Sequence, residues 1–171
     1  MKHFISRRNF LKAAGVTAAA SAMAAAVPQA SACFLTGKDA AVTILYTNDV
    51  HTYIDNKSPK LTYAAIAAMK QGYVDEGKPV LLVDAGDHIQ GTAYGSMDDG
   101  ATIIELMNEA GYDIATLGNH EFDYGMARAK AIIKEADFPY VSCNWVDLRT
   151  GLRVLPAVKL FPAGGKWIAF V

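Results

Sequence analysis

The sequence predicts an α/β domain, and three observations carry that prediction. From Val42 onward, short β-branched and aliphatic runs alternate with stretches whose apolar residues recur at helical spacing. Turn residues punctuate the alternation. Each of the first three apolar runs also ends in a polar, glycine-containing string: "NDVH", "DAGDHIQG" and "GNHEFDYG".

In chain order, "VTILYTND" reads as a buried strand and "LTYAAIAAMKQGY" as an Ala-rich helix. Gly77 and Lys78 mark the turn into a second strand, "PVLLVDAGD". "DDGATIIELMNEAG" has helical spacing, with acidic residues near its start where they complement the helix dipole. "YDIATLG" is the third strand, "GMARAKAIIKEA" the next helix and "YVSCN" a fourth strand. Two alternating runs flank Gly164-Gly165 in "RVLPAVKLFPAGGKWIAFV", which predicts a β-hairpin.

The 171 residues, 52% hydrophobic and 19% charged, match one globular domain rather than a disordered chain. Three segments are expected: an export signal over 1–32, a short mature N-terminal piece over 33–41, and the domain over 42–171. The signal has basic residues, then a weakly apolar Ala-rich run, then the small-residue site Ala30-Ser31-Ala32. Its "SRRNFLK", with Arg7 and Arg8, resembles the twin-arginine export signal, which implies delivery to the export machinery and a periplasmic, cell-surface or extracellular location. The run Ala13 to Val27 is shorter and less apolar than a membrane span requires. "ASAC" is also similar to a lipobox with Ala30 in place of the usual Leu. Lipidation of Cys33 would tie the protein to a membrane, but simple cleavage after Ala32 is the preferred reading. The mature chain then carries 12 basic and 17 acidic residues, a net charge of −5 with histidines neutral, which argues against nucleic acid polymers as partners. Two cysteines are too few for a disulfide scaffold.

Ligands of open α/β sheets sit beyond the carboxyl ends of the strands, so the three polar strings are expected to converge. Together they offer Asp49, His51, Asp87 and Asn119, a donor set of oxygen and imidazole without thiolate that suits divalent cations such as Mn, Mg or Zn. Gly86, Gly91 and Gly118 permit the tight turns that convergence needs. Taken singly, each has an ordinary structural explanation: an Asp-x-His triplet is common, Asp87 can cap a turn and Asn119 can occupy a left-handed position. Coincidence at three successive strand ends is harder to explain that way. His51, His88 and His120 all fall in these loops, and His88 is left unassigned, either solvated or behind the site.

"TNDVH", "GDHIQG" and "GNHEFDYG", in that order and spacing, resemble the N-terminal half of the calcineurin-like metallophosphoesterases, in particular the secreted 5'-nucleotidase and UDP-sugar hydrolase group. The resemblance implies a four-layer α/β/β/α sandwich, of which residues 42–171 supply only the N-terminal half. It also implies two divalent metal ions (Mn, Zn, Mg or Co), with Asp49 and His51 on the first, Asp87 bridging and Asn119 on the second. His120 then faces the phosphate and Asp123 orients it, while Glu121 supports the loop. Two cations about 3.5–4 Å apart neutralise phosphoryl oxygens and supply hydroxide at neutral pH, and an imidazole can protonate the leaving oxygen.

The family's further histidine ligands and its base-stacking C-terminal domain have no counterpart here, so the chain is expected to be a fragment of a longer product. By itself it should bind metal weakly and be only marginally stable. The implied substrate is a nucleotide or another phosphate ester. Cyclic nucleotide phosphodiesterases, UDP-sugar hydrolases and sulfur-ester hydrolases share these motifs, and a non-catalytic secreted metal-binding fragment is the alternative from another functional class.

Overall fold

The computed structural model describes residues 41–54 and 62–171; the signal over 1–32, Cys33 and the piece after it up to residue 40 lie outside the described residues. A three-stranded parallel sheet is built in the order β1 (Thr43–Thr47), β2 (Val80–Asp84), β3 (Ile114–Ala115). β1 and β2 pair from Thr43 with Val80 to Thr47 with Asp84, and β2 meets β3 at Val83 with Ile114. Parallel neighbours need long crossovers, and each crossover here carries a helix. These are α1 (Tyr63–Asp75), then α2 (Ala93–Ser96) and α3 (Ala101–Ala110); α4 (Met126–Glu135) follows β3. α3 packs against both α1 and α4.

The helix ends follow from local chemistry. Thr62 caps α1 by accepting from the Ala65 amide at 3.2 Å; at α3, whose N-cap is Gly100, the Asp98 carboxylate accepts from the Thr102 amide at 3.0 Å. Gly111 ends α3 at φ 77°, a left-handed position that costs glycine little, and the Gly111 and Tyr112 amides close back on Met107.

The core lies between helices and sheet. Leu82 of β2 is fully buried against Ile103, Ile104 and Met107 of α3, with Ile66 of α1 and Ile132 of α4 in the same cluster. The opposite face is open at β1, where Ile44 is 45% and Tyr46 73% exposed. No helix among the described residues is long and apolar enough to cross a membrane.

The expected fourth strand "YVSCN" is reduced to one parallel bridge, Ala115 with Tyr140, outside the named strands. After Val141 the Ser142 amide turns to the Pro156 carbonyl and the Ser142 hydroxyl accepts from the Trp145 amide, so the chain turns away from the sheet. The predicted hairpin is present as β4 (Lys159–Ala163) and β5 (Lys166–Phe170). Gly164 and Gly165 have φ of 56° and 74°, the two left-handed residues a type I′ turn requires.

Candidate functional site

The parallel ladder does not stop where the strands end. The Asp49 amide donates to the Gly86 carbonyl at 3.1 Å and the His51 amide to the Asp87 carbonyl at 3.0 Å, which zips the first polar loop onto the second. Asp49, His51, Thr52 and Asp87 all have φ between 47° and 59°. Left-handed backbone at non-glycine residues costs of order 1–3 kcal/mol each and clusters at functional sites. Two of the four, His51 and Asp87, direct their side chains to a common centre.

Three side chains meet there. One ligand atom from each of His51, Asp87 and His120 lies within 4.8 Å of the others. The rings of His51 and His120 stand edge-on with centroids 5.0 Å apart. Asp49 flanks the group, its Oδ1 3.9 Å from His51 Nε2, and its carboxylate is more than half exposed. Asn119 heads the 3₁₀ turn His120–Phe122 and is exposed. A cleft of about 570 Å³, lined by Tyr46, Asp49, Tyr53 and Tyr63 among others, opens beside Asp49.

The surroundings set the imidazoles. His51 Nδ1 lies 3.0 Å from the Gln90 carbonyl, an acceptor only, so Nδ1 carries the proton and the Nε2 lone pair is available to a cation. His120 Nδ1 lies 2.7 Å from Asp123 Oδ2, and this hydrogen bond, with the charge of Asp123, raises the His120 pKa. The donor set of imidazole and carboxylate fits a divalent cation.

A buried carboxylate holds the loops in register. Glu121 is fully buried and accepts from the Asp87 and His88 amides at 2.8 Å each and from the Gly118 amide at 2.6 Å. It therefore joins the "GDH" loop to the "GNHE" loop. Asp87 Oδ1 returns the connection by accepting from the His120 amide at 2.8 Å. On the other side Thr52, also buried, bonds Thr92 through paired hydroxyls at 2.7 Å.

His88 is neither solvated nor part of this half-buried group. It is completely buried beneath it, with Nδ1 2.8 Å from Asp84 Oδ1 and Nε2 2.9 Å from the Tyr140 hydroxyl. Burial acts to lower its pKa, but the hydrogen bond to Asp84 and the charges of Asp84, Glu121 and Asp87 outweigh burial and raise it. Asp84 carries no sequence signature of its own. Its place three residues before Asp87, at the last position of β2, was the only available signal.

The closeness of the loops fixes the glycines. A Cβ on Gly86, which has φ 103°, would lie 2.4 Å from the Gly118 amide nitrogen, backbone against backbone. Gly86→Ala is expected to lower unfolding free energy by about 2–4 kcal/mol, combining overpacking with left-handed strain. Urea denaturation measures this, and a midpoint equal to wild type would mean the two loops can separate freely.

Comparison with known proteins agrees with this architecture. Residues 42–167 match the family described as calcineurin-like phosphoesterase, and residues 5–27 match the signal sequence of the twin-arginine translocation pathway, which marks the chain for export. A snake venom 5'-nucleotidase from Gloydius brevicauda is 40% identical over 114 residues, covering 60% of this chain and 19% of the relative. The chain thus spans about a fifth of that protein's length. Among solved structures, the 5'-nucleotidase precursor of Thermus thermophilus superposes with TM-score 0.65 at 29% identity, over 75% of this chain and 27% of its own. The NAD nucleotidase of Haemophilus influenzae gives the same TM-score at 27% identity, over 75% and 25%.

Proposed function

We propose, from the premise that this chain belongs to the calcineurin-like phosphoesterase family, that it forms part of an exported, metal-dependent hydrolase of nucleotide phosphate esters, cleaved after Ala32. The observation that carries the reading is the meeting of His51, Asp87 and His120 within 4.8 Å, with His120 held by Asp123. The 5'-nucleotidases among its relatives supply the substrate class.

In this reading Asp49 and His51 would hold one divalent ion, Asn119 would contribute to a second, and Asp87 would serve both. Bound cations would neutralise the phosphoryl oxygens and make hydroxide available at neutral pH. The residues of the chain do the rest. Asp123 occupies Nδ1 of His120 and fixes the ring, so Nε2 is the atom that faces substrate. The hydrogen bond to Asp123 raises the His120 pKa and so favours the protonated ring, which can contribute positive charge at the phosphoryl group and pass the proton to the leaving oxygen. Gln90 keeps His51 in the tautomer that leaves Nε2 free.

The test is phosphate release by the full-length protein from AMP, UDP-glucose, cyclic AMP and a sulfur ester, each with Mn²⁺ and with EDTA. Metal-dependent release that favours AMP is expected. Cleavage confined to the cyclic nucleotide or the UDP-sugar would move the assignment within the family, and no hydrolysis of any substrate would favour a non-catalytic metal-binding protein.

A further inference from the structure

Beneath the half-buried group of His51, Asp87 and His120 lies a polar cluster that the proposed chemistry does not use, centred on His88. Both ring nitrogens are occupied, Nδ1 by Asp84 and Nε2 by Tyr140. Asp84 reaches onward, accepting from the Gly86 amide at 2.8 Å and from the Thr47 hydroxyl at 2.6 Å. The His88 amide is held separately by Glu121. One residue is thereby tied to the end of β1 through Thr47, to the end of β2 through Asp84, to the loop after β3 through Glu121 and to the segment at Tyr140. Nothing in a hydrophobic core requires an imidazole at that point.

What the arrangement fixes is the preceding residue. The peptide between Asp87 and His88 is planar, so a His88 anchored through its side chain and its amide leaves the Asp87 carbonyl little freedom. That carbonyl accepts from the His51 amide, and Asp87 itself sits at φ 59°, a conformation that persists only where its surroundings over-determine it. We propose that His88 is a positioning residue: it holds Asp87 in the left-handed conformation from which its carboxylate meets His51 and His120. The proposal rests on the reading of Asp87 as a metal ligand.

Mn²⁺ binding to the full chain, followed by the electron paramagnetic resonance signal of free Mn²⁺, tests it alongside a thermal melt of each variant. His88→Leu fills the space without either hydrogen bond and is expected to weaken Mn²⁺ binding about 10–100-fold, the range for loss of a group that supports a ligand. His88→Gln retains an amide that can bond both Asp84 and Tyr140, and should restore binding to within about threefold of wild type. Tyr140→Phe removes a single hydroxyl, the one bonded to His88 Nε2, and should give an intermediate loss with a cooperative melt.

A folded His88→Leu that binds Mn²⁺ as tightly as wild type would overturn the proposal, as would a His88→Gln no better than His88→Leu. Should His88→Leu fail to fold, Tyr140→Phe decides: a lower melting temperature with unchanged Mn²⁺ affinity means the cluster serves stability alone and overturns it. Wild-type binding no tighter than that of Asp87→Ala would instead bring down the metal-site reading itself, and the proposal with it.

Discussion

Asp87→Ala is expected to strip the full-length protein of all its tightly bound metal while leaving it folded. The carboxylate is the one proposed to serve both ions, so its loss deprives two sites at once. The fold should survive because the backbone at residue 87 is held from elsewhere: its amide donates to Glu121 and its carbonyl accepts from His51. The substitution does remove an acceptor from the His120 amide, at a cost of about 1–3 kcal/mol if that amide stays unpaired. Elemental analysis after gel filtration gives the answer. Two equivalents of metal per folded chain would mean that Asp87 is not the bridge.

His120→Asn should separate the chemistry from the binding. With Nδ1 engaged by Asp123 and the side chain about a third exposed, the ring is placed to face a solute rather than to support the core. Loss of a general acid of this kind lowers turnover about 10²–10⁴-fold. Metal content should remain that of wild type. Because a ring nitrogen of His120 also lies within 4.8 Å of the His51 and Asp87 donors, the outcome discriminates sharply. Metal lost together with activity would make His120 a ligand, and a fall in turnover of less than about tenfold would remove it from the reaction.

The parts of this molecule written as local pattern were legible in the sequence. β1 and β2 follow from compact aliphatic runs, α3 from its apolar spacing, and the hairpin from two glycines between alternating segments. The meeting of the strand-end loops was legible as well, because parallel topology alone puts those ends on one edge. What could not be read depends on partners far along the chain. His88 sits in a string of polar residues that looks solvated, and its burial is decided by Asp84 together with Tyr140, 52 residues away. "YVSCN" has strand composition, yet the hydroxyl of Ser142 diverts the backbone after a single bridge. The left-handed backbone at Thr52 was equally hidden, since a β-branched residue rarely adopts it.

The site is assembled from loops that lie far apart in sequence. His120 bonds Asp87 across 33 residues and His51 approaches Gln90 across 39. No isolated hairpin or helix of the chain contains it, so an unfolded chain offers a cation only scattered carboxylates and imidazoles. Any ion that binds well is then a ligand of the native state alone, and mass action applies: free metal at a hundred times its Kd would add about 2.7 kcal/mol to the unfolding free energy. For a protein sent out of the cytoplasm, the divalent metal supply of its surroundings would become a direct determinant of how often it opens to proteases.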